Sequence, residues 1–335
     1  MKLSRRLWLA VAMLLAAPVH ATTLDCDGPA ATTLQPTEYR ATDARAYWLD
    51  AAHVRWPKQP ADARYRIVAS ATAGLRVEKG RPIDGAQYSI ALVPADGAAA
   101  GVAERFRFVA AGADLAVPDA ARASVRELLT GQVLLVQEDA QGRVLDATYL
   151  QTPGALDDIY AAADRDRSPL GAAPGDGATW LRVWAPTAVN VSACLYRDGT
   201  STATELVPMA RDNRTGVWLQ GLPTDLSGSY YTYLVDVFVP GLGIVRNRVT
   251  DPYSVSLTTD SARSYIADLD DASLKPAGWE GAVRPPALAS NTDMAIYELH
   301  VRDFSIGDAS VAPAQRGKYL AFTDTKLVML AKSGG

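Results

Sequence analysis

The chain has 335 residues, 48% of them apolar and 21% charged, with 33 Lys and Arg against 37 Asp and Glu for a net charge of −4. That composition excludes a collagen, a disordered tail and a coiled coil, and the length suggests two or three domains. A mildly acidic chain with no run of basic residues after Arg6 also argues against a nucleic-acid surface.

Residues 1–21 read as a secretory signal peptide. Lys2, Arg5 and Arg6 form its positive end, Leu7 to Ala17 its apolar stretch, and Val19-His20-Ala21 its cleavage site. Eleven apolar residues make a helix of about 16 Å, against the roughly 30 Å of a bilayer core, so no membrane anchor is expected once the segment is removed. The expected location is secreted or periplasmic. Cys26 and Cys194 are the only cysteines. Export permits a disulfide between them, but the sequence supplies no geometry for one. Thr23-Leu24-Asp25 lacks the aliphatic-then-small pattern that would precede a lipid-modified Cys26.

Residues 22–44, rich in Thr, Pro and Ala, read as a loose leader. From 45 to 150 the pattern is that of a mainly antiparallel β domain. Strands are expected at 46–50, 54–57, 65–68, 87–93, 105–109 (RFRFV) and 133–137 (VLLVQ), from their period-2 alternation and their β-branched or aromatic content. One helix is expected over 120–129, capped by Asp119 and ended by Gly131. Residues 151–178 hold the breakers Pro153-Gly154, Pro169-Leu170-Gly171 and Pro174-Gly175, and read as a linker. Strands recur at 179–185 (TWLRVWA), 189–196, 216–220 and 230–239, so 179–255 reads as an immunoglobulin-like β-sandwich. The low-periodicity stretch over 246–292, whose part 256–293 forms a second linker, is expected to pack across a neighbour. Met294–Val301 (MAIYELHV) reads as a buried strand, and 321–330 as the opening of a helix.

The standard catalytic constellations have no support. There is no GxSxG elbow, no P-loop, no GxGxxG and no Cys/His cluster for zinc. Asp268, Asp270 and Asp271 fit an acidic surface turn better than a cation site, so no metal ligand is assigned, and whether a cofactor is needed is left open. The densest polar group is Glu298, His300, Arg302 and Asp303. On a strand the first three would share a face, and a structural hydrogen-bond network is expected there. Trp180, Trp184 and Trp218 form the carbohydrate-binding candidates, since flat rings suit the C–H faces of sugars. The competing reading places these rings in a sandwich core. Trp180 and Trp184 have the same parity and therefore one strand face.

Several segments carry a resemblance. ATWLRVWAPT (178–187) resembles the opening of the carbohydrate-binding module family 48 sandwich of starch-debranching enzymes, and RVTDPYS (248–254) and SLKPAGWE (273–280) resemble the linker after it. MAIYELHVRDFS (294–305) and RGKYLAFT (316–323) resemble the first barrel strand and following loop of secreted pullulanases, and ARAYWLD (44–50) with RWP (55–57) their amino-terminal β domain. The resemblance implies a mainly β fold: two consecutive β-sandwich-like domains, then over 294–335 the incomplete start of a TIM (β/α)8 barrel. It implies the α-amylase superfamily, glycoside hydrolase family 13, and hydrolysis of α-1,6 branch points in pullulan, amylopectin and limit dextrins. The implied partner is an α-glucan of the pullulan, starch or glycogen type. The family's catalytic carboxylates lie on later barrel strands, and no residue here occupies their positions. Only 42 residues run from Met294 to Gly335, against about 250 for a closed barrel. The sequence therefore reads as the amino-terminal portion of such an enzyme, inactive alone, or else as a non-catalytic glucan-binding sandwich protein.

Overall fold

Short apolar runs punctuated by turn residues leave this chain few ways to bury its large aromatics other than stacked sheets. A computed structural model describes residues 21–95, 100–283 and 286–323, and places them in two compact units that meet in sequence between Ala272 and Ser273. The expected signal peptide, apart from Ala21, lies outside the described residues.

In chain order the first strands are β1 (Ala31–Pro36), β2 (Ala46–Trp48), β3 (His53–Pro57), β4 (Arg64–Ser70), β5 (Tyr88–Ala91), β6 (Val93–Pro94), β7 (Gly112–Ala116), β8 (Gln132–Glu138) and β9 (Val144–Gln151). Eight of them form one sheet, ordered β5-β4-β8-β9-β2-β3-β7-β6, antiparallel except for the β2–β9 pair. The run Val133–Val136 is apolar on both faces because both faces are covered. Leu135 joins Trp48, Trp56, Ile67 and Leu115 in one core. Leu134 and Val136 join Tyr149 on the other side, where Phe238 packs against them with ring centroids 5.8 Å from Tyr149.

The strand expected at 105–109 does not form. A helix runs over Ala100–Arg105, and turns follow it. Phe106 and Val109, three residues apart, are buried beside Leu49 while Phe108 is 73% exposed. A strand would have put both phenylalanines on one face; the one-turn spacing of Phe106 and Val109 buries the better pair. The helix expected over 120–129 is divided into Asp119–Arg122 and Val125–Leu128, with Pro118 at the first cap position and Asp119 pairing with Arg122 at 2.8 Å.

The next strands are β10 (Gly171–Gly175), β11 (Ala178–Trp184), β12 (Ala188–Tyr196), β13 (Ala203–Pro208), β14 (Ala210–Arg211), β15 (Val217–Leu222), β16 (Tyr230–Val239), β17 (Gly243–Val249) and β18 (Ser264–Tyr265). They make two sheets, β10-β11-β15-β14 and β1-β17-β16-β12-β13, the second with β18 on β16. Leu181, Val183, Val191, Trp218, Tyr231 and Tyr233 fill the space between them. The loose leader is thus corrected. Thr23–Cys26 forms a helical turn, Cys26 is disulfide-bonded to Cys194, and β1 supplies an outer strand of the sandwich by pairing with β17. An open edge of β17 attracts even this poorly β-like segment, because unpaired backbone groups at an edge are costly. The linker over 151–178 is also more ordered than expected. It holds a helix over Pro153–Ile159, with Pro in its first turn, and strand β10.

The stretch after β17 does pack across the sandwich. Ile266 is fully buried in its core, and the Asp251 carboxylate accepts hydrogen bonds from Tyr231 (2.8 Å) and Tyr233 (3.0 Å).

In the unit that begins at Ser273, the strand expected at 294–301 is absent. Among the described residues, 294–300 have no strand partner, Val301–Ser305 is helical, and Ile296 and Tyr297 are 84% and 78% exposed. An extended segment becomes a strand only where a second edge meets its backbone groups. Phe304 stacks on Phe322 at 4.9 Å over the small core of Val311 and Ala321. Of the helix expected at 321–330, Tyr319–Thr323 forms a 3-10 turn and the rest lies outside the described residues.

Candidate functional site

Strand β11 alternates strictly, and its two faces have different fates. Thr179, Leu181 and Val183 are buried between the sheets, whereas Trp180, Arg182 and Trp184 point outward. Trp180 is 44% exposed. Its indole lies across β15 at Gly221, the residue paired with it: a Cβ added there would sit 2.9–3.1 Å from three carbons of the six-membered ring. Glycine therefore lets the indole lie down on the sheet with its other face toward water. The Arg182 guanidinium carbon stands 5.3 Å from the Trp180 ring centroid, within cation–π range. Trp184 is half-buried, its Nε1–H donating to the Thr215 carbonyl at 2.9 Å.

Arg182 and Trp184 lead into a cavity of about 620 Å³ between this sheet and the segment 156–170. Its wall carries three cationic side chains, Arg105, Arg165 and Arg182, and three carboxylates, Asp157, Asp164 and Asp166. Arg105 pairs with Asp157 at 3.3 Å. Asp166 is held below the usual carboxylate range, first by the Ser168 backbone N–H and then by the Ser168 hydroxyl, with Arg182 and Arg214 adding to it. A balanced wall with aromatic surface at its rim suits a neutral polyhydroxylated ligand: rings stack on C–H faces, and charged groups take the hydroxyls without demanding a counter-charge.

The three sequence candidates separate. Trp180 and Trp184 share the outward face that their parity predicted, which corrects the core reading for Trp180. Trp218 is buried with 6% exposure, its Nε1–H donating to the Ala185 carbonyl at 3.0 Å, so its ring cannot meet a ligand. Sequence reasoning passed over Arg182, although the alternation places it between the two tryptophans. Gly221 was invisible because its role depends on strand register.

The cluster Glu298, His300, Arg302 and Asp303 has no buried strand to share. His300 precedes the helix over Val301–Ser305 and accepts from the Asp303 backbone N–H at 3.4 Å, and Arg302 pairs with Asp303 at 3.1 Å on an exposed surface. Asp268 accepts from the Asp270 backbone N–H at 3.0 Å, as an acidic turn does. Two-carboxylate hydrolysis needs an acid held protonated where the ligand lies. Asp166 is shifted the opposite way, and the raised carboxyl of Asp251, desolvated by burial, is sealed under Tyr231 and Tyr233 at 3% exposure. The outward face of β11 and its cavity bring exposed aromatic surface and a balanced set of charges together.

Residues 43–158 match the pullulanase N2 domain, and residues 169–254 match carbohydrate-binding module 48, the isoamylase N-terminal domain. Through these two domains the chain belongs to the pullulanase family. It is 36% identical over 284 residues to "Pullulanase 1, chloroplastic" of Arabidopsis thaliana, covering 84% of this chain and 28% of that protein. With the pullulanase of Klebsiella pneumoniae the identity is 35% over 297 residues, covering 87% and 26%. The solved maltotriose complex of PulA from Klebsiella pneumoniae superposes with a TM-score of 0.75 at 33% identity, covering 87% of this chain and 31% of that one. The chain thus spans between a quarter and a third of the length of these relatives. The residues that carried the resemblance to the module 48 sandwich, 178–187, form β11 and the turn after it, so the family signature and the outward tryptophans are the same segment.

Proposed function

We propose that this chain is the glucan-recognition portion of a pullulanase-type glycoside hydrolase, and that it binds α-glucan on the outward face of β11. One observation carries the reading: Trp180 lies on Gly221 with its free face in solvent, and Arg182 and Trp184 extend that surface into a charge-balanced cavity. The solved relative described as a maltotriose complex supports the ligand class. The substrate of the whole enzyme would be the α-1,6 branch points of pullulan, amylopectin and limit dextrins. Hydrolysis by this chain alone is not expected, because no residue matches the family's catalytic carboxylates. Export is part of the proposal, supported by the signal-like residues 1–21 and by the Cys26–Cys194 disulfide, which suits an oxidising compartment. Among the described residues no helix is long and apolar enough to cross a membrane.

Native electrophoresis through gels containing pullulan or glycogen tests the reading. Retarded migration is expected, and migration unchanged at high glucan concentration contradicts binding. A parallel reducing-sugar assay on pullulan is expected to stay at background, and sustained release would contradict the inactivity.

A further inference from the structure

A second, smaller cavity lies across Tyr160 from the first, and its chemistry is different. It holds about 230 Å³ and is lined by Arg126, Arg211, Glu127, Thr130 and Asn213. Arg126 comes from the helix over Val125–Leu128 of the first β domain, and Arg211 from β14 of the sandwich. Their guanidinium carbons stand 5.8 and 5.9 Å from the centroid of the same Tyr160 ring. Arg211 donates through one terminal nitrogen to the Tyr160 hydroxyl and to the Pro186 carbonyl, so its position is fixed. Among the described residues neither arginine has a carboxylate partner, and the Nε of each is buried without a hydrogen-bond acceptor. Glu127 is exposed and in no ion pair with either.

Two guanidinium groups held on one ring bring two positive charges to one small cavity, and among the described residues no carboxylate is paired with either. Arginine forks match the oxygen geometry of phosphate, and two of them match a dianion better than a single carboxylate would. At about 230 Å³ the space is below the roughly 300 Å³ at which ligand pockets for larger molecules begin, and it suits a phosphate group better than a glucan segment. We infer that Arg126 and Arg211 form an anion site for a phosphate dianion, free or carried on a sugar, at the junction of the two β domains and separate from the tryptophan face.

Isothermal titration of the full chain at pH 7.5, where a phosphate monoester is mostly dianionic, provides the test. Inorganic phosphate and glucose 6-phosphate are titrated separately at matched ionic strength. Saturable binding is expected, displaced by sulfate and weakened at least tenfold in Arg126→Gln with its melting temperature unchanged. Glu127→Gln, which removes the negative charge at the rim, is expected to tighten it. Tighter binding of glucose 6-phosphate assigns a sugar-borne phosphate, and equal or weaker binding assigns the free ion. Phosphate heats indistinguishable from those of chloride, or full affinity in Arg126→Gln, would overturn the site. Trp180→Ala is expected to leave phosphate binding intact, so this test and the glucan test fail independently.

Discussion

Trp180 and Trp218 sit on adjacent strands of one four-stranded sheet and face opposite ways. Trp218 points inward, nearly fully buried among Leu181, Val183 and Tyr231, with its N–H satisfied by a backbone carbonyl. Trp180 points outward over a glycine, with much of its ring in water. The same residue type fills the sandwich core in one place and presents an exposed ring, the proposed glucan platform, in the other. Parity along the strand decides which, and a glycine across the register decides whether the outward ring lies flat.

Several substitutions break or sharpen that contrast. The largest effect is expected from Trp218→Ala, which leaves a core cavity and should cost about 3–5 kcal/mol of unfolding free energy in urea titration. An unfolding midpoint close to that of the unsubstituted protein would place Trp218 outside the core. Removing the disulfide with Cys26→Ala and Cys194→Ala releases a loop closed over 168 residues and should cost about 2–5 kcal/mol. This change lies on the opposite sheet, so the glucan affinity of the folded fraction should not move. Gly221→Ala pushes on the far end of the Trp180 ring rather than on backbone. The ring should tilt off the sheet, weakening glucan about threefold to tenfold, or roughly 1 kcal/mol, with little loss of stability.

The smallest effect concerns pH. Burial holds the Asp251 carboxyl above its usual value. A carboxyl raised on folding favours the native state when protonated, and that contribution is lost as pH rises through the folded value. Asp251→Asn should therefore cost more stability near pH 3 than near pH 7. Denaturant titrations of both proteins across that range give the comparison, and a cost that grows toward neutral pH would reverse the sign.

How much of this was legible in the sequence follows the same physics. The strand core of the sandwich was readable because its alternation is complete within each strand, as in 230–239, which matches β16 residue for residue. Two segments failed in opposite directions. Ala31–Pro36 has weak strand character and was read as leader, yet it pairs with β17. Residues 294–300 have strong strand character and pair with no strand among the described residues. In both cases the deciding quantity is a free neighbouring edge, which no local pattern contains. The aromatic face was half legible: parity gave Trp180 and Trp184 a common side, but which side faced water required the second sheet. The Arg126–Tyr160–Arg211 cluster, brought together from residues up to 85 positions apart, had no sequence signal.

The proposed glucan site rests on Trp180. The most direct measurement is the affinity of Trp180→Ala for a linear maltooligosaccharide, by isothermal titration, on protein whose melting temperature matches the unsubstituted chain. An exposed ring that carries binding should cost at least tenfold in affinity when removed, about 1.4 kcal/mol or more. Undiminished affinity in a folded Trp180→Ala protein would contradict the assignment of the outward face of β11 as the glucan site.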